Sequence, residues 1–217
     1  MLSEKDWKQI SPHPLLRQLS KNAICDILDR YGDGISTFSD GEALDQRARI
    51  GFVLSGTAHV QTADDSRRVL LRVLSPGDAF GVAGMFCETP TVSKIYADGI
   101  CRCVFFSEQA VSHLLETSDA FRKNYVGFLS DRIRFLNRKI TYLTAGSAER
   151  RLALYLISFG QDHVELTDSI SSLSDLLNLG RASLYRAFDK LAEDGYLLKK
   201  GRSITLLHAE AMLNAYK

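Results

Sequence analysis

The chain has 217 residues, 45% hydrophobic and 24% charged, an ordinary globular composition with room for two modest domains. A net charge of +1 advertises no polyanionic partner, and no run approaches the roughly 18 apolar residues of a membrane span, so no membrane helix is expected and any nucleic-acid footprint must come from local clustering. The opening MLSEKDWKQISPHP is polar and mixed in charge, unlike a signal peptide, so a cytoplasmic location is expected and with it free thiols at Cys25, Cys87, Cys101 and Cys103.

Residues 1 to about 30 read as short helices, with Leu15, Leu16, Leu19, Ile24, Ile27 and Leu28 supplying an apolar face broken by Pro12 and Pro14. From about residue 32 to 106 glycines punctuate short apolar runs at 50–54, 56–60, 69–74, 95–97 and 101–106, a series of strands with turn residues between them. Residues 63–66 (ADDS) read as a polar hairpin tip and 75–78 (SPGD) as a strong turn. Many short strands at close spacing suggest an antiparallel sandwich or jelly roll. Cys101 and Cys103 share one face of a strand; two ligands make a weak metal signal, and packed thiols are the plainer reading.

A short helix follows at 107–117, opened by Ser107 and packed by Val111, Leu114 and Leu115, and then a long one at about 119–144. In the long helix Val126, Leu129, Ile133, Leu136, Ile140 and Leu143 recur at alternating +3 and +4 steps, a heptad seam that points to dimerisation more than to packing within one domain. Six Lys/Arg against two Asp/Glu between residues 119 and 143 suit a solvated outer face. Ala145-Gly146-Ser147 is a candidate hinge: Gly146 ends the long helix and Ser147 caps a new one at 148–159, with Arg150 at its third position.

Residues 169–207 form the most informative stretch. Leu173, Leu176 and Leu177 give one helix an apolar face, and Leu184, Phe188 and Leu191 give another to the next helix. Asn178-Leu179-Gly180 lies between them, with two residues that tolerate a sharp turn. Away from its apolar stripe the second helix carries Arg181, Ser183, Arg186 and Lys190, and two short strands follow with Lys199, Lys200 and Arg202 at their turn. This is a helix-turn-helix with a β wing, in which the second helix enters the major groove and the wing tracks phosphates.

The order of β-rich roll, heptad helix, hinge and winged helix-turn-helix resembles the CRP/FNR family, the cyclic-AMP receptor protein and its relatives, over about residues 35–207. The pieces that carry the resemblance are Ser75-Pro76-Gly77-Asp78-Ala79-Phe80-Gly81, Gly84-Met85-Phe86 and the helix-turn-helix with its wing. The resemblance implies an α+β protein in three parts: an effector-binding β-roll with flanking helices (1–118), a dimerisation helix (119–144) and a winged helix-turn-helix DNA-binding domain (145–217). It implies a homodimer on a near-palindromic operator of double-stranded DNA, with RNA polymerase as a further candidate partner and a small-molecule effector in the roll.

In cyclic-AMP binders of the family the pocket loop reads roughly G-E-L-G and is followed by R-S, the glutamate taking the ribose hydroxyl and the arginine the phosphate. Here the pocket residues are Gly81, Val82, Ala83, Gly84, Val92 and Ser93: Val82 stands where the glutamate belongs and Val92 where the arginine belongs, while Ser93 is kept. Burying a phosphate against Val92 would cost several kcal/mol; Lys94 serves only in a slipped register. Cyclic AMP is therefore not the expected effector, and the effector stays unknown. Cys25 alone does not match the cysteine set of the family's iron–sulfur sensors, and His59, the lone histidine of the roll, reads as structural before it reads as a haem ligand.

At the reading helix the family's R-E-T-x-x-R becomes Arg181-Ala182-Ser183-Leu184-Tyr185-Arg186. Both arginines, suited to guanine, are kept. Ala182 replaces the glutamate that would accept from cytosine, so a different operator is expected. Tyr185 either faces DNA or packs locally, and Asp189 offers Arg186 a local ion pair. An enzyme on a cupin-like roll would need several histidines in the roll, which holds only His59. A cyclic-nucleotide-binding module acting on a protein partner is the remaining alternative, and the helix-turn-helix weighs against it.

Overall fold

The computed structural model of the chain describes residues 2–44, 48–62, 70–89, 93–166 and 169–216; the expected hairpin tip at 63–66, Val69 and the pocket residue Val92 lie outside them. It divides into two compact units, Met1–Ser130 and Asp131–Lys217, with the boundary inside one long helix.

In the first unit, α1 (Glu4–Ile10) starts at a capping box in which the Ser3 hydroxyl accepts from the Asp6 amide and the Asp6 carboxylate accepts from the Ser3 backbone. A single 3-10 turn (Pro14–Leu16) and α2 (Lys21–Tyr31), capped by Ser20, follow. The sheet is antiparallel, in the order β1 (Ile35–Phe38), β5 (Ser93–Ser107), β2 (Arg49–Thr62), β3 (Leu70–Leu74), with β4 (Ala79–Phe80) also on β2.

The apolar runs at 50–54 and 56–60 belong to one strand, as do those at 95–97 and 101–106. The breaks expected between these runs do not occur: the strands continue through Gly56 and Gly99, with a shift of register at Val53/Ser55 and Ser55/Thr57. Gly56 takes φ +78°, and a Cβ there would run into the carbonyl oxygen of Ile100, so the glycine permits a bulge, not a turn.

Both faces of these strands are covered. Ile50, Phe52, Leu54, Val104 and Phe106 face the helices, packing with Leu15, Leu16, Ile24 and Leu28. Val53, Ala58, Cys101, Cys103 and Phe105 face the interior of the roll, with Leu74, Phe80 and Ile95. Period-2 alternation produces the split. It also explains why residues 50–54 are a continuous apolar run. The Cys101 and Cys103 sulfurs lie 3.7 Å apart in this interior as free, fully buried thiols; burial pushes both above the ordinary thiol range. A partly buried ion pair joins α1 to the sheet: Arg102 donates through both terminal nitrogens to the Asp6 carboxylate (3.2 and 3.4 Å). Then come α3 (Glu108–Thr117), capped by Ser107, and α4 (Asp119–Thr144).

The second unit begins within α4. Gly146 follows at φ +71°, and the Ser147 hydroxyl accepts from the Arg150 amide to start α5 (Ala148–Ile157), which ends two residues earlier than its sequence suggests. β6 (His163–Glu165), α6 (Ile170–Leu177), α7 (Arg181–Glu193), β7 (Leu197–Lys200), β8 (Ser203–Leu206) and α8 (Ala209–Ala215) complete it. The small sheet runs β6-β8-β7 around a core of Leu152, Leu156, Leu173, Leu177, Phe188 and Ile204. β6 and α8 carry no sequence signal: only Val164 is buried in the one, and only Met212 in the other.

Candidate nucleic-acid interface and effector loop

The turn between α6 and α7 rests on Asn178. It takes φ +51°, ψ +51°, and its amide closes the end of α6 on the carbonyls of Ser174 and Asp175. Gly180, also expected to supply special backbone freedom, does not: its φ is −65°, and a Cβ there would meet only the Ser183 hydroxyl at 4.0 Å. Leu173 and Leu177 are buried and Leu176 half-buried, while Leu184, Ala187, Phe188 and Leu191 bury the inner stripe of α7.

At about 100° per residue, the outward side of α7 centres on Ala182, Tyr185, Arg186 and Asp189, with Arg181, Ser183 and Lys190 on its flanks. Arg186 is exposed and donates to the Ser183 hydroxyl at 3.0 Å, not to Asp189, so two expected contact residues hold each other in place. Tyr185 is 47% exposed, which settles its orientation as outward. Lys190 is engaged: it donates to Asp194 at 2.9 Å, and Asp194 also accepts the Tyr216 hydroxyl of the segment after α8. The Tyr216 and Lys190 bonds hold the Asp194 carboxyl below its ordinary range, and the Asp194 bond raises Lys190. The Asp194–Tyr216 partnership has no sequence signal, because the two residues are 22 apart and meet only in the fold.

On the wing, the Lys199 ammonium stands 5.5 Å from the centroid of the Phe188 ring, tying β7 to α7 by a cation–π contact. Lys200 and Arg202 are exposed on either side of the Gly201 turn. Arg181, Arg186, Lys200 and Arg202 thus present cationic groups on the surface of one small unit.

Along α4, Val126, Ile133, Leu136, Ile140 and Leu143 are between 40 and 58% exposed, so the seam is not consumed by packing within the protomer. Leu129 is half-buried against the helix-side core. The buried side chains of α4 are Phe121 and Tyr125 near one end and Tyr142 near the other.

The candidate effector loop begins at Gly81, which takes φ +79° and approaches the Arg49 carbonyl so closely that a Cβ would overlap it. A 3-10 turn, Val82–Gly84, follows. Ala83 is exposed and Gly84 half-buried, while Val82 and Met85 are buried in the helix-side core. Ser93 is half-buried at the start of β5. Val82 therefore offers no acceptor to a ribose hydroxyl: its side chain is spent on packing. The described part of this loop does not fit a cyclic nucleotide bound in the family manner.

Residues 33–118 match the model of the cyclic nucleotide-binding domain. The chain is 22% identical over 189 residues to a CRP-like cAMP-activated global transcriptional regulator of Mycobacterium tuberculosis, covering 82% of this chain and 83% of that one. It is 26% identical over 159 residues to a probable transcriptional regulator, flp, of Lacticaseibacillus casei, covering 70% and 71%. Its fold is that of the catabolite activator protein of Thermus thermophilus, with a TM-score of 0.54 at 18% identity over 94% of this chain and 100% of that one. Among the described residues no helix is long and apolar enough to cross a membrane. The chain thus matches a cyclic nucleotide-binding domain over residues 33–118 and is similar, at low identity, to transcription regulators along most of its length.

Proposed function

We propose that this chain is a sequence-specific, DNA-binding transcription regulator that works as a homodimer in the cytoplasm and is controlled by an effector other than cyclic AMP. The observation that carries the reading is the outward side of α7, where Arg186 is exposed and braced by Ser183 beside a cationic wing. Arg186 and Arg181 suit the N7 and O6 of guanine, and Ala182 suits a thymine methyl. Ser183 and Lys190 flank the helix, and Lys199, Lys200 and Arg202 serve the phosphates. The reading carries RNA polymerase with it as the eventual protein partner.

The seam residues support the homodimer. Taking Val126 as position a, the a positions are Val126, Ile133 and Ile140, all β-branched, and the d positions are Leu129, Leu136 and Leu143. That combination favours two parallel strands. Arg132 and Lys139 fall at g, and Asn137 and Thr144 at e. A parallel pair sets each cation opposite an uncharged residue, whereas an antiparallel pair would set cation against cation.

Selection of duplexes by the full-length protein from a random-sequence library tests the reading. Enrichment of a near-palindrome with two half-sites about one helical turn apart is the expected result. Failure to enrich any sequence overturns it, and would favour a module acting on a protein partner.

A further inference from the structure

Three carbonyl groups at two helix ends converge on one side chain. Arg151, in the first turn of α5, donates through Nη1 to the carbonyls of Leu177 (3.3 Å) and Asn178 (3.2 Å), and through Nη2 to the carbonyl of Leu143 (3.4 Å). Leu177 and Asn178 are the last residue and the cap of α6, at the helix-turn-helix turn; Leu143 is the last seam residue of α4. All three carbonyls belong to helix ends, where the backbone ladder supplies no N–H. Each end also carries the negative pole of its helix. Among the described residues no carboxylate pairs with Arg151, and its Nε is buried with no acceptor. The guanidinium charge is therefore answered by helix ends, within the second unit.

We propose that Arg151 is a positioning residue for DNA recognition: its planar fork fixes the turn of the helix-turn-helix against the end of the seam helix. In a dimer paired along that seam, this sets the separation and rotation of the two reading helices, and so the half-site spacing the dimer accepts. A guanidinium reaches three acceptors in fixed directions, whereas a lysine ammonium is a single point that cannot span them in the same way. The inference rests on the homodimeric DNA-binding reading above.

The test uses full-length dimers of the wild type, Arg151→Gln and Arg151→Lys. The probes are the duplex enriched by the wild type and versions with one base pair added or removed between the half-sites. One base pair turns one half-site by about a tenth of a helical turn relative to the other, and the wild type is expected to discriminate against it by about tenfold. Both variants are expected to bind all three duplexes within about threefold of one another, with the salt dependence of binding unchanged because the phosphate contacts are intact. Reading two variants keeps the comparison if one fails to fold. A folded variant that keeps the wild-type spacing preference, or loses affinity equally for all three duplexes, overturns the proposal while leaving the DNA-binding reading standing. A wild type that enriches no duplex removes that reading and this one together.

Discussion

The roles proposed for Arg186 and for the wing cations are separated by substitution. Arg186→Ala removes a group suited to a base edge and releases Ser183. Operator affinity is expected to fall by about 1–3 kcal/mol, with relaxed preference at one base position. The double change Lys200→Gln with Arg202→Gln should instead weaken binding to all sequences and lower the slope of log K against log salt by about two. Competition binding at several salt concentrations reads both; an Arg186→Ala protein with unchanged preference would remove Arg186 from the reading head. In the first unit the residue to test is Asp6. Burial pushes its carboxyl up, but the bonds from Ser3 and Arg102 outweigh that and leave it below its ordinary value. A depressed carboxylate contributes stability that is complete above its unfolded value, near 3.8, and is lost as the pH falls through the lower folded value. Asp6→Asn should therefore destabilise by about 1–3 kcal/mol at neutral pH. Its thermal midpoint should also fall less than that of the wild type between pH 5 and pH 2, a range set by that depressed carboxyl.

At the scale of elements, the turn and the seam make opposite demands on sequence. Asn178 holds a left-handed conformation, so Asn178→Ala should cost about 1 kcal/mol and Asn178→Gly much less. Gly180 sits in ordinary extended backbone at the start of α7, without a side-chain cap. Gly180→Ser should be neutral or stabilising by up to about 1 kcal/mol, because serine supplies the missing cap. Thermal unfolding of the three variants checks the contrast. On the seam, Ile133 is exposed in the protomer, so Ile133→Asp should leave the protomer folded and break the dimer. Sedimentation is expected to show a monomer at concentrations where the wild type is dimeric, and operator affinity should fall by at least tenfold, because one head alone binds one half-site. Most helices of this chain were legible from local signals: Ser107, Ser147 and Ser169 each stand one residue before a helix, and α4 and α7 show an apolar residue every three or four positions. The strands were less legible, because Gly56 and Gly99 signal a break whether the chain turns or bulges, and only pairing between β2 and β5 decides which.

At the scale of the whole molecule, the architecture matches that of a catabolite activator protein, while the loop at residues 81–84 carries no charged side chain. Calorimetric titration with cyclic AMP is expected to give no binding at micromolar concentration; micromolar affinity would show that Lys94 or a residue outside the described loop replaces the missing partners. The amino-acid sequence by itself determined the order of roll, seam helix and winged helix-turn-helix, the exposed apolar face of α4 and the cations of α7 and its wing, since these rest on local periodicity, caps and turn residues. Only the tertiary structure decided that Val82 belongs to the core, that the Asp194 holding Lys190 is itself bound by Tyr216, that Tyr185 faces outward and that Arg151 joins two helix ends. Each of those depends on partners far apart in the chain or on which side of an element meets the core, and a side chain's periodicity says that it is on a face without saying what the face will meet.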